Sequence, residues 1–171
     1  MNKDLIKNEH ITITHMDESM IDDVWQNSLD EDNRRFVPDE VFETREDAKD
    51  VVEFIISQYQ LNEYPLIYAI IRNSDNANLG YVQLVQIDEG IEIGYHIAKK
   101  YTGNGYATEA VKLFLNYLKD NTDIKEIYGV ALSANKASAK VLAKCGFEKY
   151  FEGTGNYQGK RRKIVKTIIR L

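Results

Sequence analysis

Hydrophobic and polar positions alternate in period two around Ile11 and Ile13, with threonines between and after them, which predicts a strand. The period then lengthens: Met20, Ile21, Val24, Trp25 and Leu29 fall at helical spacing within 17–29. A second helix is predicted from Thr44, whose hydroxyl can cap the first-turn N–H groups while Asp47 reaches back. Its apolar positions run Ala48, Val51, Val52, Ile55, Ile56 and Tyr59. After Pro65, β-rich runs at 66–72 and 79–88 flank the turn cluster NSDNAN, and Glu89-Gly90 turns into a third run at 91–99. Residues 66–99 therefore read as an antiparallel meander.

Beyond it, Ala107, Ala110, Val111, Phe114, Leu115 and Leu118 form one continuous apolar helix face. A strand at 125–132 and a helix at 135–144 follow, with Gly146 suited to the left-handed position after the helix end. Two strands, 148–157 and 162–171, turn near Gln158-Gly159. This order predicts a single mixed α/β (α+β) domain over 1–171, with a largely antiparallel sheet flanked by helices.

Composition narrows the chemistry. The single cysteine, Cys145, cannot form an intramolecular bridge, and three scattered histidines (His10, His15, His96) make no zinc cage, so a metal-free protein of the reducing cytoplasm is expected. Cys145 reads as a packing residue and Trp25 as core or as the lip of a cleft. No apolar run approaches the roughly 20 residues of a membrane helix, and the N-terminus has no signal-like core. A net charge of −5 argues against a nucleic-acid binder. The charge is also divided: residues 17–53 hold 14 acids and 4 bases, and residues 119–171 hold 12 bases and 5 acids. Such a chain can face a cation at one end and an anion at the other, or simply solvate both, and the run Lys160 to Lys163 is open to the same two readings.

The chemical signal lies at the switch from strand to helix, IEIGYHIAKKYTGNGYATEAV. A glycine-rich loop opening a helix presents unpaired N–H groups and the positive end of the helix dipole, which together bind phosphate. Gly103 and Gly105 let the backbone approach an anion. The loop lacks the Gly-Lys-Ser/Thr of a P-loop. Thr108 stands where a dinucleotide fingerprint wants Gly or Ala, and the preceding meander is the wrong context for one.

With the strand EIGYHI, the loop from Lys100 to Ala107 followed by TEAV, and the block Asn135-Lys136-Ala137-Ser138 leading to KVLAKCGF, the sequence resembles the GNAT acetyltransferases, which use acetyl-CoA. Within them it is similar to the RimJ/RimL branch of ribosomal-protein N-acetyltransferases, from Ile11 to Leu171. The resemblance implies a twisted sheet whose splayed central strands hold acetyl-CoA. It implies contacts from Ile97, Ala98 and Lys99 at the strand end, from Lys100, Gly103, Asn104, Gly105, Tyr106, Ala107 and Thr108 in the loop, and from Asn135, Ser138 and Lys140. Lys100 replaces the Gln/Arg that usually opens the loop; it keeps a cation and loses a bidentate contact. Lys136 and Lys140 share a helix face at i and i+4, where they meet phosphate or remain solvated.

Acetyl transfer from a thioester to an amine needs a neutral amine, a polarised carbonyl and a proton for the thiolate. The resemblance places oxyanion donors among the backbone N–H groups from Tyr95 to Ala98. Many members place a tyrosine acid seven residues after the motif asparagine, where this chain has Leu142, and Ser138 matches the substitute of the RimL-like branch. Asn156, before Tyr157, stands where a glutamate base is expected there, which leaves Glu92 as the candidate base or a solvated strand residue, with His96, read first as a structural histidine, the second candidate on the same strand face. At pH 7 an α-amine is about 9% neutral and a lysine about 0.04%, so a weak base matches an α-amine better. The acceptor expected is a primary amine, above all the N-terminus of a ribosomal or other basic protein, with a polyamine or aminoglycoside as the alternative. A non-catalytic acyl-CoA-binding module is the reading from outside enzymology, and exposed edges of the terminal hairpin leave room for a homodimer.

Overall fold

The computed structural model describes residues 3–171. Its elements are β1 (Asp4–Lys7), β2 (Ile11–His15), α1 (Ile21–Ser28), α2 (Glu31–Phe36), α3 (Arg45–Leu61), β3 (Leu66–Arg72), β4 (Asn78–Ile87), β5 (Gly90–Ile97), α4 (Tyr106–Asn121), β6 (Glu126–Leu132), α5 (Lys136–Lys144), β7 (Glu148–Tyr157) and β8 (Lys160–Arg170). Two of these, β1 and α2, were not anticipated: four residues in β1 and six in α2 are too few for a periodic signal. The helix expected over 17–29 is an α-helix only from Ile21, because Asp17 caps a 3-10 turn ahead of it.

All eight strands join one sheet in the order β1-β2-β3-β4-β5-β6-β8-β7. Every neighbouring pair is antiparallel except β5 and β6, which are parallel. The mixed, mostly antiparallel sheet read from the sequence is the observed one. The Thr44 box also forms: its hydroxyl accepts from Asp47 N–H at 3.1 Å, and the Asp47 carboxylate accepts from Thr44 N–H at 2.9 Å.

One face of the sheet is covered by α4 and α5. Phe114, Val111 and Leu118 of α4 pack on Ile93 and Ile97 of β5 and on Ile127 of β6. Gly129 lets α5 lie close on β6, since a Cβ there would come within 2.9 Å of the Leu142 side chain. The opposite face carries α1 and α3, with Ile55 and Ala69 in one buried cluster and Ile21, Ala48 and Val52 in another. Cys145 is buried with Phe147 in the first core, as a packing residue would be. No helix among the described residues is long and apolar enough to cross a membrane.

Candidate functional site

The two parallel strands are joined at one point, Glu92 against Tyr128. Beyond it β5 stays with β4 and β6 stays with β8, so the central strands part. A cleft of about 870 Å³ opens there, lined by Glu92, Tyr95, Val130, Asn135, Ser138 and Tyr157 among others. The Ala98 N–H donates to Leu79 O at 2.8 Å, and register with β4 is unbroken from Gly90 to Ile97. Alternation along an antiparallel strand then turns the N–H groups of Tyr95 and Ile97 toward the gap, and those of His96 and Ala98 toward β4. The donors expected from Tyr95 to Ala98 thus reduce to two.

Strand alternation also sorts the side chains. Ile93, Tyr95 and Ile97 lie on the face of α4 and α5; Glu92, Gly94 and His96 lie on the other. The Tyr95 hydroxyl is 2.9 Å from Ser138 Oγ and 3.1 Å from Ser138 O, and burial pushes its ionisation well above the usual phenol range. Asn135 caps α5, its side-chain oxygen accepting from Ser138 N–H at 3.1 Å. Glu92 enters the cleft from the far face. Burial raises its pKa to about 7, opposed by the Val130 N–H and reinforced by the charges of Glu40 and Glu89.

Three further groups on that face escaped sequence reasoning. Glu40 ends the one-turn 3-10 segment Pro38–Glu40, accepts from Gln83 Nε2 at 3.1 Å, and is held above the ordinary carboxylate range by burial. Gln83 has room because its β4 position opposes Gly94, where a Cβ would come within 2.6 Å of its amide nitrogen. Tyr157, pushed up to about 12 by burial, donates to Phe36 O at 2.9 Å and ties the β7–β8 hairpin to α2. The pairing of Gln83 with Gly94 was a usable signal, since two opposed residues in a meander share a face. For Glu40 there was none.

The glycine loop is a separate surface. Gly103 and Gly105 take φ of 82° and 81°, the left-handed region, and nothing lies within 4 Å of where their Cβ atoms would stand. Among the described residues, the backbone N–H groups of Gly103, Asn104, Gly105, Tyr106, Ala107 and Thr108 find no acceptor; the first bonded one is Glu109, to Gly105 O at 3.1 Å. Asn104 steadies the loop by donating to Tyr101 O and Thr102 O. Lys100 is exposed above the Tyr101 ring, and Lys136 and Lys140 are exposed on α5.

Other expected residues have different partners. Lys99 is drawn toward α2, its N–H to Asp30 Oδ2 at 3.1 Å and its ammonium to Asp32 at 2.7 Å. Ile97 and Ala98 are buried, and Ala98's N–H is already bonded. His96, the second candidate base, does not line the cleft; it borders a smaller cavity, 3.4 Å from Asp30 Oδ2 and outside hydrogen-bond geometry. The structure therefore brings Glu92, Tyr95, Asn135 and Ser138 to one cleft and leaves His96 outside it. No group of three or more metal-ligating side chains occurs among the described residues.

Comparison with known proteins agrees with this geometry. The chain is 34% identical over 103 residues to the "Probable N-acetyltransferase YjcK" of Bacillus subtilis, covering 58% of this chain and 52% of that one. It is 33% identical over 55 residues to the "FsC-acetyl coenzyme A-N(2)-transacetylase" of Aspergillus fumigatus, covering 32% and 23%. The match spans about half the length of the first of these relatives and less of the second. Among solved structures, a GNAT-family acetyltransferase from Bacillus anthracis shares the fold with a TM-score of 0.81 at 22% identity over 96% of this chain and 97% of that one. RimL, a ribosomal alpha-N-protein acetyltransferase solved with coenzyme A, does so with a TM-score of 0.82 at 18% identity over 98% of each. Residues 10–148 match the "Acetyltransferase (GNAT) domain" family, and the chain belongs to it.

Proposed function

We propose that the protein is an acetyl-CoA-dependent N-acetyltransferase whose acceptor is a protein N-terminal α-amine. The observation that carries this reading is the parting of β5 and β6, with a carboxyl of pKa about 7 on one face of the gap and a hydroxyl pair on the other. Acetyl-CoA supplies an activated acyl group and a thiolate leaving group. Its diphosphate fits the free N–H groups from Gly103 to Thr108, and Lys100, Lys136 and Lys140 add cations near their charges. The edges of β5 and β6 fit the amides of the pantetheine arm, with Asn135 beside them. Ile97, Ala98 and Lys99 shape the strand end rather than reach the ligand with their side chains.

Within this reading Glu92 takes the amine proton, directly or through a water, and a pKa near the working pH suits a general base. The Tyr95 and Ile97 N–H groups polarise the acyl oxygen. Ser138, bonded to the Tyr95 hydroxyl, returns a proton to the sulfur. The position of Leu142, buried in the core, leaves this role to that pair.

A small cationic amine is the second reading. It is favoured by Glu40 and Glu92, which both line the cleft and have no cationic partner within ion-pair distance among the described residues. A cytoplasmic location and a homodimer belong to the same proposal, with the β7 edge and its exposed Tyr150 and Phe151 as the dimer surface. Size-exclusion chromatography checks the dimer. The decisive assay is transfer of radiolabelled acetyl to basic N-terminal peptides, with spermidine and an aminoglycoside as competitors. Labelled peptide is expected; confirmed acetyl-CoA binding with no transfer to any amine leaves only an acyl-CoA-binding module.

A further inference from the structure

The rim of the cleft is cationic where its interior, with Glu40 and Glu92, is acidic. Lys160, Arg161, Arg162 and Lys163 open β8 and are all exposed. None of the four has an acidic partner within ion-pair distance among the described residues. Further along the same strand the cations are paired, Lys166 with Glu89 and Arg170 with Glu126. Strand alternation divides the free run. Tyr157 opposes Lys160 and Gly155 opposes Arg162, and opposed residues share a face. Tyr157, Gly155 and, on β8 itself, Lys166 line the cleft, so Lys160 and Arg162 lie on the cleft side and Arg161 and Lys163 on the side of α5. Gly155 has no side chain to cover the Arg162 guanidinium. A third cation reaches this rim from another segment. The Tyr157 hydroxyl donates to Phe36 O at 2.9 Å, which fixes the hairpin tip against the end of α2. Arg35, the preceding residue, is exposed, lies 4.9 Å from the centre of the Phe36 ring and has no acidic partner within ion-pair distance among the described residues. Asp39, the exposed acid of the following 3-10 turn, pairs with none of them. Cations gathered without counter-charges repel one another, and an anion is the ligand that relieves them.

We infer that this rim docks acidic residues of the acceptor, so that the preferred acceptor is a protein N-terminus followed by an acidic segment. The inference rests on the transferase reading above and names the chemistry of the chain behind its amine. Glu92 pairs with Tyr128 and Tyr128 with Ile168, and Arg162 and Lys160 stand six and eight residues before Ile168 on β8. At about 3.3 Å per residue they lie about 20–26 Å along the strand from the amine site. An extended chain covers that span in about six to eight residues, and the reach of an arginine and a glutamate side chain brings the first useful acidic position to about the fourth. The carboxyls inside the cleft draw the amine, and the cations at the rim draw the segment after it. Charge therefore sets the direction in which the acceptor enters. It also reverses the charge expected of the acceptor's body from the sequence alone, so basic peptides should be the slowest substrates of their length.

The test compares three peptides that begin Ser-Ala-Ala and continue with four glutamates, four glutamines or four lysines. With the intact protein, saturating acetyl-CoA and low salt, kcat/KM is expected to be at least tenfold higher for the glutamate than for the glutamine peptide, and lowest for the lysine peptide, within the about 10–10³-fold range of charge steering. The gain should lie in KM and shrink as salt is raised. Lys160→Glu combined with Arg162→Glu should remove it and Arg35→Glu should reduce it, each leaving the glutamine peptide and KM for acetyl-CoA unchanged. Equal turnover of the three peptides, or a preference for lysine, overturns the inference and leaves the transferase standing. A higher KM for acetyl-CoA in the variants, with the peptide order unchanged, assigns the cations to the phosphates of the cosubstrate and overturns it as well. So does a single-stranded RNA oligomer that binds the wild type and not the variants, with no order among the peptides. Calorimetric titration of the peptides into the CoA-loaded protein separates the two readings. Tightest binding of the glutamate peptide, weakened by the charge reversals, with no acetyl transfer to any amine keeps the docking rim and removes the transferase.

Discussion

The two faces of the sheet meet the gap between β5 and β6 with opposite chemistry. On the side of α4 and α5, the groups offered to a ligand are mainly backbone: six consecutive N–H groups ahead of and within the first turn of α4, freed by two glycines in the left-handed region. On the side of α1 and α3 they are side chains, the carboxyls of Glu40 and Glu92, the Gln83 amide and the Tyr157 hydroxyl, drawn from three strands and a 3-10 turn. A run of peptide N–H groups is an anion site whatever the pH. Two half-buried carboxyls form a site whose charge depends on pH and on the ligand. In the proposed reaction the anionic half is thus held by geometry and the proton-handling half by desolvation.

The contrast is broken most directly by Glu92→Gln. A general base contributes about 10²–10⁴-fold, so kcat should fall by at least a hundredfold while the dissociation constant of acetyl-CoA stays unchanged. In the wild type, kcat/KM should rise through pH about 7 as Glu92 loses its proton, and that limb should vanish in the variant. The stability sign is set by the same shift. A carboxyl whose folded pKa lies above its unfolded value contributes stability below the unfolded pKa, and that contribution is lost as pH rises through about 7. Glu92→Gln should therefore raise the melting temperature at pH 8 more than at pH 5. An equal change at both pH values would show that Glu92 titrates normally.

Ser138→Ala probes the opposite face. The Tyr95 hydroxyl would lose its Oγ partner yet keep Ser138 O at 3.1 Å, so the phenol stays placed. A fall of about tenfold in kcat is expected, with acetyl-CoA binding much less affected, and Tyr95→Phe should produce a comparable loss because the two hydroxyls act as one unit. An unchanged rate in Ser138→Ala removes Ser138 from the proton path.

These two sites were not equally legible in the sequence. Gly103, Gly105 and the helix start at Tyr106 are contiguous, so spacing alone marks an anion loop, and the Asn135 to Ser138 block is equally local. Glu92 is legible only as a carboxylate on the strand that leads into the loop. Glu40 and Gln83 come together because β4 pairs with β5 in one register and α2 folds back beside them, and no pattern in residues 30–42 announces that contact. The strand period of two gives the face of His96, but not its surroundings: Asp30, from an unanticipated helix cap, stands 3.4 Å from it at the edge of another cavity. The elements themselves were largely readable, because long amphipathic helices and a meander carry their period within one segment.

Gly105→Val breaks the backbone half without touching a side-chain contact. Gly105 sits at φ 81° with no atom near its absent Cβ, so the cost is conformational alone, about 1–2 kcal/mol for an L-residue in the left-handed region. If the first turn of α4 re-forms without that conformation, the run of N–H groups no longer converges, and acetyl-CoA affinity should fall about tenfold by calorimetry with the fold retained. Replacing Lys100 or Lys140 with alanine should weaken binding less, and in a salt-dependent way.

The smallest effect expected comes from the residue that joins the two halves. Asp30 Oδ1 caps α2 by accepting from Asn33 N–H at 2.8 Å, and Oδ2 accepts from Lys99 N–H and stands beside His96. Burial opposes its ionisation, but the His96 ring and the two N–H groups outweigh burial and lower its pKa to about 2. Asp30→Asn keeps a capping oxygen and removes the charge, so α2 should persist while its hold on the entry to the glycine loop weakens. KM for both acetyl-CoA and the amine should rise about twofold to fivefold with kcat nearly unchanged, and the melting temperature should fall by about 2–4 °C at pH 6. A depressed carboxyl contributes stability above its unfolded pKa and loses it as pH falls through about 2, so the melting difference between wild type and variant should narrow below pH 4. A rise in KM for one substrate only would show that Asp30 serves one face, and that the cleft's two halves are held independently.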